Sequence, residues 1–130
     1  MSDATSPQRK AGDATRRRVL GDAHVDRSRA DPDAWEAPFI DLITDAAWGH
    51  TWSRGTLPLR ERSLITLALL AGLGNFEEFE LHLRATANTG ATREDVLDVL
   101  LHVAIYAGVP RANHAIKLAK TIYEEMEAKT

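Results

Sequence analysis

Apolar residues recur along this chain at intervals of three and four, and no stretch alternates as a strand would. Between Trp35 and Trp52 the residues Trp35, Phe39, Leu42, Ile43, Ala46 and Ala47 share one helical face, which predicts a helix laid against a core. Leu64 to Leu73 is apolar around its whole circumference, with Pro58 near the start of that helix. Glu77 to Asn88 follows, with Phe76, Phe79, Leu83 and Ala87 on one face and Gly90 as a left-handed stop. Thr92 with Asp95 makes a capping box that opens a helix from about Arg93 to Ala107. Gly108 ends it, and Pro110 opens a last helix carrying the stripe Ala115, Leu118, Ala119, Ile122 and Met126.

The pattern predicts an all-α fold, a compact bundle of five to six helices. Ahead of Trp35 it weakens. Residues 1–12 are small and polar and read as a flexible N-terminal lead, leaving residues 13–130 as a single helical domain. Ala14 to Leu20 reads as a short basic helix, and GDAHVDRSRADPDAW as a polar loop broken at Asp31 and Pro32. Two helices that lack a polar face are hard to bury in 130 residues, so a homo-oligomer is expected.

Composition narrows the function. A net charge of −3 makes no field that would gather nucleic acid or an anionic membrane, so any anion must meet a local arginine cluster. The absence of cysteine excludes disulfides, thiolate nucleophiles, dithiol redox chemistry and cysteine-held zinc. MSDATSPQRKAGDAT has no apolar stretch of the signal-peptide kind, and no run is long enough to span a bilayer, so a cytoplasmic protein is expected.

Three groups of side chains could carry chemistry. Glu78 and His82 stand one helical turn apart, on the flank of an amphipathic helix where a side chain can border a pocket. The same spacing also suits a surface pair worth a few tenths of a kcal/mol. Asp98, His102 and Tyr106 form a second such column. Two carboxylate–histidine pairs raise the idea of a metal held in a bundle, but the Glu-x-x-His spacing such sites use is absent, and no metal is expected. In WGHTWSRGTLPLRERS, Trp48 and Trp52 precede Arg54, Arg60 and Arg62, which joins apolar walls to planar forks that grip carboxylates. An aromatic anchor with solvated arginines would read the same way.

Four ordered blocks, RRRVLGDAHVDR, WGHTWSRGTLPLRERSLITLALLAGLG, ELHLRATANTGATREDV and YAGVPRANHA, resemble the carboxymuconolactone decarboxylase family over roughly Arg18 to Tyr123. The resemblance implies an alkylhydroperoxidase D-like helical fold and a ring-like homo-oligomer, a hexamer or a trimer. The redox branch of that fold carries a CxxC ahead of a histidine. Aligned on His82, its two cysteines fall at Asn75 and Glu78, so this chain keeps the histidine and sets a carboxylate at the second cysteine position.

The implied reaction is the decarboxylation of 4-carboxymuconolactone to 3-oxoadipate enol-lactone in protocatechuate catabolism, the beta-ketoadipate pathway, with no cofactor. The ligand would be a small lactone dicarboxylate; neither nucleic acid nor membrane is expected as a partner. In that reading His82 is the general acid and Glu78 sets its tautomer. Arg54 or Arg62 grips a carboxylate, Trp48, Trp52 and Tyr106 line the pocket, and His24 and Arg27 serve a lid or touch substrate from a neighbouring subunit. Two other readings stand beside it: a non-catalytic helical oligomer that binds a lactone or a partner, and a decarboxylase or isomerase of another unsaturated lactone.

Overall fold

A computed structural model describes residues 6–129, and every regular element among them is helical. The chain divides after Pro58 into two compact units.

The first unit opens with α1 (Pro7–Leu20), capped by Ser6, whose Oγ accepts the Arg9 N–H at 3.1 Å. Gly21, at φ 91°, turns the chain into α2 (Asp22–Ser28). Then α3 (Ala37–Ile43) runs directly into a π-helical segment, Thr44–Trp52, ended by a bond from the Ser53 N–H to the Trp48 carbonyl at 3.0 Å.

The π segment packs along α1 at unusually close range. A Cβ on Gly12 would lie 2.1 Å from the Thr44 carbonyl oxygen, and one on Gly49 would lie 2.5 Å from the Gln8 carbonyl oxygen. Only hydrogen at both positions permits that approach. Beside it the buried Arg9 donates to both Asp45 carboxylate oxygens, at 2.6 and 2.8 Å, and to Asp41 at 3.1 Å. A planar fork on a carboxylate is the geometry that best offsets the desolvation of a buried charge.

Three expectations change in this unit. Residues 7–12 are helical rather than a flexible lead, because a Ser-Pro cap starts α1 and Arg9 ties it down; residues 1–5 of that lead lie outside the described residues. The expected polar loop contains α2, drawn to α1 by Arg17, which donates to Asp22 at 3.2 Å and to Asp26 at 2.8 Å. Trp35, 94% exposed, and the exposed Phe39 and Leu42 do not face a core; Thr44, Trp48 and Trp52 are the buried residues there.

The second unit holds α4 (Leu59–Leu73), α5 (Phe76–Arg84), the short α6 (Thr86–Thr89), α7 (Arg93–Tyr106) and α8 (Val109–Ala128). Its core gathers Leu67 and Ala71 from α4, Phe79 and Leu83 from α5, Val96, Leu100 and Val103 from α7, and Ala112, Ala115, Ala119 and Ile122 from α8. The expected stops occur as read: Gly90 is left-handed at φ 86°, Gly108 has φ 118°, and both arms of the Thr92–Asp95 capping box form, at 3.1 and 2.9 Å.

Eight α-helices and the π segment thus stand among the described residues where five to six helices are expected. The surplus comes from α2 within the expected loop, from the division of the expected Trp35–Trp52 helix into α3 and the π segment, and from the step at Ala85 that separates α6 from α5.

Candidate active site

Within the second unit the site begins on α5. Phe79 and Leu83 drive into the core, and that anchorage turns the flank bearing His82 inward, so the imidazole is only 9% exposed. Glu78, one turn earlier, stays exposed in the first turn, where a carboxylate also suits the positive end of the helix dipole. The pair therefore spans a boundary, with a buried imidazole and, one turn earlier, an exposed carboxylate. That arrangement suits proton transfer better than a pair that is wholly wet.

Arg62 lies half-buried in the first turn of α4, a helix that packs against α5. Next to it Ser63 is buried, and its hydroxyl has no hydrogen-bond partner among the described residues. Arg60 is committed elsewhere: it bonds Glu61 at 2.7 Å and Asp95 at 2.6 Å, fastening α4 to the start of α7. Tyr106 sits at the end of α7, 85% exposed, its ring parallel to His102 with centroids 6.1 Å apart. A groove of about 180 Å³ between α7 and α8 is lined by Arg93, Leu97, Leu100, Ile116 and Tyr123 among others, and contains neither His82 nor Glu78. Among the described residues no three His, Asp or Glu side chains group as a metal would require.

The other candidate residues lie in the first unit. Trp48 and Trp52 are buried and stack at 4.8 Å with a 31° tilt. The wide π winding brings these residues, four apart, onto one side, and such segments recur at functional sites. Arg54 is exposed just beyond them; on α2, His24 is half-buried and Arg27 exposed.

One residue of this unit escaped the sequence reading. Arg16 on α1 is 3% exposed, yet its Nε and Nη1 have no hydrogen-bond partner among the described residues. Burial and the neighbouring charges of Arg29 and Arg17 push its guanidinium below the ordinary range, with Asp13 opposing them. Asp13 itself is occupied by Arg17 Nε at 3.0 Å, and its other oxygen lies 3.6 Å from Arg29 Nε. The run Arg16-Arg17-Arg18 flags a basic helix, but adjacent arginines point in different directions and spacing does not tell which one is buried.

Comparison with known proteins gives these residues a chemical context. The model of the carboxymuconolactone decarboxylase family matches residues 37–121. The chain is 38% identical over 117 residues to the 4-carboxymuconolactone decarboxylase of Acinetobacter baylyi, covering 90% of this chain and 87% of that protein. It is 33% identical over 115 residues to the nitrosuccinic acid decarboxylase npaB of Metarhizium robertsii, covering 88% of this chain and 80% of that one.

Proposed function

The chain belongs to the carboxymuconolactone decarboxylase family, and from that premise we propose that it is the decarboxylase that converts 4-carboxymuconolactone to 3-oxoadipate enol-lactone in protocatechuate catabolism. The observation that carries the reading is the buried imidazole of His82, one turn from the exposed Glu78, in a chain 38% identical to a decarboxylase of that lactone.

The substrate supplies its own electron sink. The departing carboxylate sits on a ring carbon conjugated through one double bond to the lactone carbonyl. When the carbon–carbon bond to carbon dioxide breaks, its electron pair flows to that carbonyl oxygen and leaves a dienolate. Protonation of the ring carbon next to the carbonyl then gives the enol-lactone. The chemistry needs no electron sink from a cofactor.

Three tasks remain for the protein. His82 delivers the proton to the ring carbon, and Glu78 orients the imidazole and raises its basicity. Arg54 or Arg62 holds a carboxylate as a planar fork. Trp48, Trp52 and Tyr106 supply apolar walls that favour the neutral departing carbon dioxide over the charged carboxylate. His24 and Arg27 close over the substrate or reach it from a neighbouring subunit.

The working form is a cytoplasmic homo-oligomer, a hexamer or a trimer. Ile65, Leu69 and Leu73 on α4, with Leu97, Leu101 and Ile105 on α7, leave large apolar side chains exposed on two helices that pack together. A monomer rarely exposes a continuous apolar patch beyond a few hundred Å². No helix is long and apolar enough to cross a membrane among the described residues.

The test is carbon dioxide release from enzymatically generated 4-carboxymuconolactone beside a protein-free control, with nitrosuccinic acid as the competing substrate because a relative bears that name. Turnover of the lactone without added metal or cofactor is the expected result. Turnover of nitrosuccinic acid alone would reassign the substrate, and no turnover of either by a folded protein would favour a binding role.

A further inference from the structure

We propose that Arg16 binds the carboxylate that the reaction leaves in place, forming with Arg29 a carboxylate subsite in the first unit; the proposal rests on the decarboxylase reading above. Arg16 is 3% exposed, with two guanidinium nitrogens unpartnered, and the buried Nε of Arg29 is likewise without a hydrogen-bond partner among the described residues. Arginine does not escape such a setting by losing its proton, because the guanidinium stays charged across the working pH range. An unpaired buried charge is among the costliest groups a fold can hold.

The surroundings point to an anion from outside. Asp13, the carboxylate named beside Arg16, is already bonded by Arg17 and faces Arg29 at 3.6 Å. Arg29 spends its outer nitrogens on Asp41 at 3.4 Å and Thr44 Oγ1 at 2.8 Å, which holds its Nε inward. The donors left over are fixed in place before any ligand arrives. Pre-organised donors that lack an acceptor are what a carboxylate subsite requires, because the ordering cost of holding the side chains is met by the fold.

The relatives favour a small carboxylate over a second copy of the chain as the occupant. Arg16 is covered, while Arg29 beside it is 29% exposed. Both decarboxylase relatives are named for acids that keep one carboxylate after losing the other, since nitrosuccinic acid and carboxymuconolactone are both dicarboxylic.

The experiment compares wild type, Arg16→Met and Arg16→Lys in three measurements: thermal unfolding against adipate, with chloride at matched ionic strength; steady-state kinetics on 4-carboxymuconolactone; and mass by light scattering. Adipate should raise the melting temperature of wild type well beyond chloride, and Arg16→Met should abolish that rise. Without adipate, Arg16→Met should melt at or above wild type, since it removes an uncompensated charge. Its KM should rise about 10- to 150-fold, the worth of a charged hydrogen bond, with kcat changed much less, and Arg16→Lys should recover part of the loss.

A folded Arg16→Met with unchanged KM and unchanged adipate response overturns the proposal. So does an Arg16→Met that fails to fold, which would make the charge a structural need, and so does one that changes mass alone, which would make Arg16 a subunit contact. Should wild type leave the lactone untouched, the decarboxylase reading falls, and the adipate titration still decides Arg16: a rise lost in Arg16→Met upholds the subsite, and no rise in wild type removes it.

Discussion

Glu78 and His82 stand one turn apart on α5, the carboxylate exposed and the imidazole buried beside Phe79 and Leu83. The contrast distinguishes this pair from one exposed at both ends. A surface pair would leave both partners wet and contribute little. On the proposed assignment His82→Ala lowers kcat by about 10²- to 10⁴-fold, the usual worth of a general acid, with helix content and mass unchanged. Glu78→Gln lowers it less and moves the pH–rate profile. A folded His82→Ala with wild-type turnover would take His82 out of the mechanism.

Arg54 and Arg62 should act on binding. Arg54→Ala or Arg62→Ala raises KM for the lactone with a smaller change in kcat. Steady-state kinetics on each variant is the check, and an unchanged KM in both ends their assignment as carboxylate grips.

Gly12 meets the π segment without room for a methyl group. The Cβ of Gly12→Ala would sit 2.1 Å from the Thr44 carbonyl oxygen and 2.9 Å from the Gly49 nitrogen, both of them backbone. Separating α1 from the π segment should cost about 1–3 kcal/mol, as overpacking does. Gly55→Ala, where a Cβ has nothing within 4 Å, is the matched control. Thermal unfolding of the two variants measures the difference, and equal melting temperatures would contradict the close approach.

Asp45 carries an acid-sensitive share of stability. Its hydrogen bonds from Arg9 hold the carboxyl below the usual carboxylate range. A depressed folded pKa means that the contribution is fully present above the ordinary aspartate value and is lost as pH falls through the folded one. Asp45→Asn should therefore melt below wild type at neutral pH, and the gap should narrow below about pH 4. The carboxylate is about one-third exposed, so solvent screens the pair and the effect is modest. A gap that stays constant down to acid pH would contradict the linkage.

The apolar side chains of α4 and α7 give the oligomer a direct test. Leu69 and Leu101 are both exposed, so Leu69→Glu and Leu101→Glu should reduce the mass in light scattering while circular dichroism keeps its helical signal. Unchanged mass in both would move the subunit contact elsewhere.

Signals that act within one helical turn were legible in the chain. The Thr92–Asp95 capping box, the left-handed Gly90, the end at Gly108 and the stripe through Ala115, Ala119 and Ile122 all occur where the spacing puts them. Each depends on residues a few positions apart, so the local sequence contains all the physics it needs. The Glu78–His82 column belongs to the same class. Ser6 and Pro7 signal the start of α1 locally as well, although the polar composition of residues 1–12 points to a flexible lead.

What lay beyond sequence is whatever a distant segment decides. Arg9 is helical and buried because Asp41 and Asp45 reach it from more than thirty residues away. Arg16 is buried while Arg18, two positions on in the same basic run, stays exposed. The face of Trp35, Phe39 and Leu42 has the right period for a core and meets none among the described residues. Periodicity fixes which residues share a face and caps fix where helices stop, since both are properties of one turn of backbone. Which face is covered, and which charge is left without a partner, depends on packing between segments far apart in sequence, and only the tertiary structure decided it.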